Sequence, residues 1–321
     1  MKRPTIVVVG SYAVGLVMRV VRLPSHGETV LGNDFVAMDG GKGSNQAVAC
    51  ARLGARTFFV SCIGNDAYGD GAIALLEREG VDTTFVRRVD DRPTGVGFIL
   101  VDENGNNAIA VDLGANRLLS IHDIDRAADV IAQADVLLTQ FEIAPETALY
   151  AAAIARRAGV RTVLNPAPAV QLPDNGLLSD IDFLTPNLTE AQALCGMEAN
   201  HAADYGKALQ RKGVTTTVVT VGEEGAWIVD GRESALHVPA FPATAIDSTG
   251  AGDAFSAALS VTLAEGAVID DAVSFACAAG AYSVQSVGTV PSFPIRAELT
   301  SFSGRSEVTK DRRSTHVEQI S

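Results

Sequence analysis

The sequence predicts an α/β fold: a mostly parallel, Rossmann-like sheet with helices on both faces and a small β-sheet lid standing off it. Three observations predict it. Short runs rich in Val, Ile, Leu and Thr recur along the 321 residues, as strands buried on both faces require. A helical pattern follows most of them, and strand–helix alternation builds a parallel sheet. Aromatic residues make up only 6% of the chain while Gly numbers 30, and small residues let helices pack closely on a sheet. A 47% apolar chain of this length supports one large domain with an appendage.

In chain order, residues 5–9 form the first strand, which ends in Gly10-Ser11. Residues 28–37 break the rhythm as an extended segment, and a glycine-rich turn then leads into a helix over 44–53. A strand at 57–62 and a helix at 72–79 follow. Residues 94–111 alternate on either side of Asp102-Glu103-Asn104-Gly105-Asn106, a hairpin composition. Strands drawn from about 12–38 and 92–113 are therefore expected to form the small sheet, of a size to cover a cleft. Helix 123–133, strand 135–139, helix 146–157 and strands 160–164 and 182–185 continue the alternation. Helices 189–195 and 202–212, strand 217–221 and helices 252–264 and 270–284 complete a single domain over 1–300. Beyond Pro294 the chain turns polar, and 301–321 reads as a final helix fragment with a frayed tail.

Charge and composition narrow the function. A net charge of −13 argues against nucleic acid, whose binders are basic. Cys50, Cys62, Cys195 and Cys277 form no C-x-x-C pair and read as reduced packing residues. Residues 1–4 are too few ahead of the first strand for a signal peptide, and no apolar run reaches the roughly 20 residues of a membrane span. A cytoplasmic protein without a membrane partner is expected.

Polar and turn residues gather at the carboxyl ends of several strands. These are Gly10-Ser11, Gln140-Phe141-Glu142, Asn165-Pro166-Ala167-Pro168, Pro186-Asn187-Leu188-Thr189-Glu190 and Gly222-Glu223-Glu224-Gly225. Open α/β sheets bind ligands at that edge. The run Asp247-Ser248-Thr249-Gly250-Ala251-Gly252-Asp253 opens a helix whose first amides and dipole attract anions. A carboxylate there would repel phosphate. Asp253 is therefore either a general base aimed at an attacking hydroxyl or an ordinary N-terminal helix residue, and the local sequence supports both equally. Asp39-Gly40-Gly41-Lys42-Gly43-Ser44-Asn45-Gln46 is neither a Walker A loop nor a Gly-x-Gly-x-x-Gly loop. By itself it reads as a turn into a helix, or as a turn that brings backbone and one ammonium group to polar ligand atoms.

Both runs resemble the two signatures of the ribokinase (PfkB) carbohydrate kinases, and the resemblance spans roughly 5–296 in order, including Asn165-Pro166-Ala167-Pro168-Ala169 and Asn187-x-x-Glu190. It implies a kinase that uses ATP, Mg2+ and an activating K+ to phosphorylate a small sugar-like alcohol. Asp253 would be the catalytic base, with the amides of Gly250, Ala251 and Gly252 as the anion hole. Asn187 and Glu190 would organise the magnesium, and Thr220, Val221, Gly222, Glu223, Glu224 and Gly225, with Gly252, would line the nucleotide site. Gly41, Lys42, Gly43, Ser44, Asn45 and Glu142 would contact the acceptor. Asp247, Thr249, Ser283, Ser286, Gly288 and Ser292 would hold the potassium, several through backbone carbonyls. A homodimer paired through the lid is also implied.

The chain departs from the family where ribokinases carry Asn-x-Asp after the first strand; here the residues are Ala13-Val14-Gly15. Gly cannot replace a carboxylate that grips a sugar diol. Ribose is therefore in doubt, with Asp112 the first candidate to compensate. A His near the adenine in relatives is Cys277 here, and Met18 and Tyr12 lie near the changed segment. A nucleoside kinase of the same fold is one rival. A non-catalytic sugar or nucleotide binder is another, and the retained Asp253, glycine loop and Asn187/Glu190 set argue against it.

Overall fold

The computed structural model describes residues 3–170, 176 and 178–313; positions 314–321 of the segment read as a tail lie outside the described residues. The first half contains β1 (Thr5–Val9), β2 (Ala13–Val20), β3 (Gly32–Gly40), α1 (Lys42–Arg52), β4 (Arg56–Gly64), α2 (Ala67–Arg78), β5 (Val81–Val89), β6 (Gly95–Val101) and β7 (Asn107–Asp112). It continues with α3 (Ile121–Arg126), α4 (Ala128–Ala132), β8 (Val136–Gln140), α5 (Pro145–Arg157) and β9 (Arg161–Asn165). The second half adds β10 (Phe183–Leu184), α6 (Leu188–Cys195), α7 (Ala202–Arg211), β11 (Thr216–Thr220), β12 (Ala226–Val229), β13 (Leu236–Val238), α8 (Ala251–Ala264), α9 (Ile269–Ser283) and α10 (Arg296–Arg313).

Nine strands form the main sheet in the order β13-β12-β11-β10-β9-β8-β1-β4-β5, parallel from β11 to β5 and antiparallel at β12 and β13. Alternate residues of β1 serve opposite cores. Ile6 and Val8 pack with Val48 of α1, Leu259 of α8 and Ala276 of α9. Val7 and Val9 pack with Ile124 of α3, Ala152 of α5 and Leu209 of α7. A strand covered on both sides has no polar face to spare, which is why its sequence is uniformly apolar.

Four elements differ from expectation. β5 was not anticipated, because as an edge strand it carries charges; Arg87 donates to both carboxylate oxygens of Asp123, at 2.6 and 3.0 Å. β12 and β13 are too short to show a period. The single helix expected over 123–133 is two, divided at Ala127, whose N–H turns to the Ile124 carbonyl. α10 extends the final helix into the polar segment, and Phe302 packs edge-on against Tyr282 at 5.6 Å between ring centres. Among the described residues, no helix is long and apolar enough to cross a membrane.

The second sheet is the expected lid, in the order β3-β2-β6-β7. Its hairpin turns on Asp102, whose carboxylate accepts from the Asn104 and Asn106 amides at 2.9 and 2.8 Å. In register, Gly15 stands beside Met38 and Gly97, and Gly97 beside Val111. Two positions along, Val17, Val36, Ile99 and Ile109 form the next row on the same face. A Cβ on Gly288 would lie 3.6 Å from the Met38 sulfur, so this face looks onto the loop after α9. The opposite face carries Leu16, Ala37, Phe98 and Ala110, with Phe98 56% exposed.

Candidate active site

The first strand, the glycine loop and the end of β8 meet by close backbone approach. A Cβ on Gly43 would stand 2.5 Å from the Ser11 nitrogen, and one on Gly41, at φ 89°, 2.7 Å from the Ala13 nitrogen. Only glycine permits either contact. The loop starts α1, and Glu142 binds it from the β8 side. Its carboxylate accepts from the Ser11 hydroxyl at 2.6 Å and from the Lys42 backbone N–H at 2.8 Å.

Asp253 sits in the first turn of α8 and is 4% exposed. Gly250, at φ 82°, turns the chain into the helix. The helix starts at Ala251, whose N–H is already taken by the Ser248 carbonyl at 3.2 Å, so Ala251 drops out of the expected anion hole. The amides of Gly252 and Asp253, which precede the first internal bond from Ala254 to Gly250, are the ones left as donors. Both oxygens of Asp253 are held by amides of α1: Asn45 Nδ2 donates to Oδ2 and Gln46 Nε2 to Oδ1, each at 2.9 Å. Burial pushes the Asp253 carboxyl above its ordinary value. The Lys42 charge and the two amide donations oppose that rise, and Glu142 adds to it. Burial alone would depress the Lys42 ammonium, but Asp253, Glu142 and Glu190 outweigh it and raise its affinity for the proton. One ammonium thus lies among three carboxylates from different elements.

Asn187 and Glu190 form a reciprocal cap on α6, with the Asn187 side chain accepting from the Glu190 N–H at 2.8 Å and the Glu190 carboxylate from the Asn187 N–H at 2.9 Å. Helix capping therefore explains their spacing on its own. Glu190 also feels both Lys42 and Asp253, which puts it at the same chamber; burial raises its carboxyl.

A cleft of about 580 Å3 runs from the α8 start across the ends of β11 and β12. Thr220, Gly222, Glu223 and Gly225 line it, as does Gly252, while Val221 and Glu224 complete the turn without facing it. Cys277 forms part of its wall; burial pushes its thiol up to about 12. The sequence reading missed Ala240, Phe241, Pro242, Ala243 and Ala245, which form another wall. They lie in an irregular loop, where no periodicity marks them.

The six residues expected around a potassium ion form one neighbourhood only in part. Asp247 accepts from the Thr249 and Gly288 amides, each at 2.9 Å, tying the α8 approach to the loop after α9. Burial would raise its carboxyl, but the Thr249 hydroxyl and the Gly288 and Thr249 amides together lower it. Ser286 follows in that loop, its N–H on the Ser283 carbonyl. The Ser283 and Ser292 hydroxyls donate to the Gly280 and Thr289 carbonyls of their own turns, at 2.9 and 2.7 Å. The donor set is oxygen throughout with a single carboxylate, which suits a hard cation. Among the described residues, no three His, Cys, Asp or Glu side chains cluster to hold a metal.

The suggested stand-in for the lost carboxylate fails. Asp112 shares a row with Val96 and Val14, on the face opposite Gly15, and its carboxylate accepts from the Gly114 N–H at 3.0 Å. Three further residues were quoted in motifs without a role: Gln46, Gln140 and Asn165 form a buried amide cluster behind Asp253.

Comparison with known proteins identifies the family. The family described as pfkB family carbohydrate kinase matches residues 3–296. A ribokinase of Haemophilus influenzae is 40% identical over 303 residues, covering 94% of this chain and 98% of its own. A deoxyribokinase of Salmonella typhi is 36% identical over 293 residues, covering 90% and 95%. The structure of Arabidopsis thaliana ribokinase complexed with ribose and ATP superposes with a TM-score of 0.87 at 32% identity, covering 94% of this chain and 99% of that one. With sequence and fold matched over nearly its whole length, the chain belongs to the pfkB family of carbohydrate kinases.

Proposed function

We propose that this kinase transfers the γ-phosphoryl group of ATP to a hydroxyl of a sugar or sugar-like alcohol that is polar toward the glycine loop and apolar toward the lid. The observation that carries this reading is the lid face around Gly15. Met38, Val111, Val17, Val36, Ile99 and Ile109 surround Gly15 and Gly97 without one hydrogen-bonding side chain. On the opposite side, Glu142 and the Lys42 ammonium supply polar contacts. There, Asn45 Oδ1 is buried and has no partner among the described residues, so an acceptor hydroxyl would satisfy it. A deoxy sugar fits this division better than D-ribose does. A nucleoside, whose base could lie under the lid, is the second reading on the same observation.

In the reaction, Asp253 takes the proton of the attacking hydroxyl as its oxygen bonds to the γ-phosphorus and the bond to ADP breaks. The open amides of Gly252 and Asp253, at the positive end of α8, face the charge on the transferring group. Gly41, Gly43 and Ser44 hold the acceptor with Lys42, Asn45 and Glu142. Thr220, Gly222, Glu223 and Gly225 cradle the nucleotide. Asn187 and Glu190 would hold magnesium through its waters, and that ion would neutralise phosphate charge. Asp247, Thr249, Ser283, Ser286, Gly288 and Ser292 would hold potassium, which would add positive charge beside the anion hole.

The lid face that exposes Phe98 pairs with a second copy of the chain, and sedimentation equilibrium checks that dimer. A coupled ADP-release screen over pentoses, deoxypentoses, hexoses, ketoses, sugar acids and nucleosides tests the activity. ADP release with D-ribose at the rate of the best acceptor would overturn the assignment of specificity. No release with any acceptor would favour a non-catalytic binder.

A further inference from the structure

Behind Asp253 lies a row of amides that none of the proposed roles uses. Gln46 Nε2 donates to Asp253 Oδ1 at 2.9 Å and also lies 3.2 Å from Asn165 Oδ1. Gln46 Oε1 accepts from Gln140 Nε2 at 2.5 Å. Both glutamines are fully buried, at 0% exposure. A primary amide can point either way, and shape alone does not choose. Turned over, Gln46 would set its oxygen against the Asp253 carboxylate and the Asn165 carbonyl, two contacts between acceptors. The Gln140 N–H donated to Gln46 Oε1 favours the orientation seen.

Gln140 itself is held at a cost. Its Oε1 is buried with no partner among the described residues, and a Cβ on Gly10 would stand 2.1 Å from it. A buried acceptor left unpaired is unfavourable, and one that persists beside a reactive group points to a constraint from function. An apolar side chain at the end of β8 would avoid the loss. What the amide supplies is a donor facing Gln46.

We propose that Gln140 is a positioning residue for the base: by fixing the orientation of the Gln46 amide, it keeps an N–H rather than a carbonyl oxygen against Asp253. The inference rests on Asp253 being the base. The charged groups that also act on Asp253 are Lys42, which favours the carboxylate, and Glu142 and Glu190, which oppose it. A donor at Oδ1 favours the carboxylate too. Losing the Gln140 anchor on Gln46 Oε1 loosens the amide, weakens its donation to Oδ1 and makes the base harder to deprotonate.

The test is Gln140→Met, read by kcat/KM for 2-deoxy-D-ribose, or for the acceptor that the screen ranks first, as a function of pH. The expected result is a loss of roughly ten- to hundredfold at neutral pH, as misplaced catalytic groups give. The acid limb should move to higher pH, while the KM for ATP stays at the parental value. Gln46→Met should show the same upward move, and adding Gln140→Met to it should change nothing further, because Gln140 acts only through Gln46. Where the methionine variant does not fold, Gln140→Leu carries the same expectation. A folded variant with the parental limb refutes the inference, even if its stability drops. So does an equal loss from Gln140→Met in the Gln46→Met background. Asp253→Asn separates the two levels. If it stays active, the base assignment fails; if it is inactive while Gln140→Met matches the parent, only the positioning role fails.

Discussion

Gly252→Ala should make the protein more stable and less active at once. A Cβ placed on Gly252 meets no atom within 4 Å, and the residue lies in the first turn of α8 without a positive φ. Alanine there relieves the entropic cost of glycine in a helix, a gain of roughly 0.5–1 kcal/mol. For a chain of this size that corresponds to a rise of about 1 °C in Tm. The empty space beside Gly252 is the wall of the nucleotide cleft, where a phosphate oxygen must approach the amide. The new methyl group holds it off, and loss of one preorganised donor costs about 10²–10³ in kcat. Gly250→Ala is the contrast. With φ 82° and the Thr289 methyl only 3.1 Å from the added carbon, it should lose both stability and activity. Thermal unfolding followed by a coupled ADP assay decides. Gly252→Ala with raised Tm and unchanged kcat would show that no phosphate passes over this amide, and the anion-hole argument would fall.

Four more outcomes follow. Asp253→Asn should lower kcat by about 10²–10⁴-fold with nucleotide affinity little changed; a variant keeping more than half the activity would place the base elsewhere. Because burial raises the Asp253 carboxyl, the acid limb of kcat/KM should lie above the ordinary carboxylate range, with activity lost as pH falls through it; full activity well below that range would contradict the assignment. Replacing sodium with potassium at constant ionic strength should raise the rate, and equal rates at saturating substrates would count against the Asp247 site. Ala13→Asn with Gly15→Asp should improve kcat/KM for D-ribose by roughly tenfold or more, since a hydrogen bond to a charged group contributes about 1.5–3 kcal/mol. A Cβ at Gly15 meets Ile99 only at 3.6 Å, so the carboxylate has room, and an unimproved double variant would leave the lid face without a part in specificity.

The sheet was legible because β1, β4, β8, β9 and β11 are buried on both sides and cannot disguise themselves. β5 was hidden by Arg87 and Arg88, whose charges an edge strand tolerates. The glycine loop and the α8 start were legible because close approach and a turn into an anion-binding helix demand particular residues in a row. Gln140 was not. Its partner Gln46 lies 94 residues away, and a glutamine at a strand end is unremarkable until the fold brings the two together. Asp112 misled for the opposite reason: its residue type was right, and only the strand register revealed that it stands on the wrong face.

The parallel pairing of β2 with β6 has a consequence for how the chain acquires its structure. These strands are neighbours in the lid, yet everything from β3 to β5 is threaded between them. No local hairpin can bring them together, so their ladder must wait until β1, β4 and the two intervening helices have assembled. The lid should therefore be the last part to form and the first to open. In hydrogen exchange, the amides of β2 and β6 should lose protection at denaturant concentrations that leave β1 and β8 untouched.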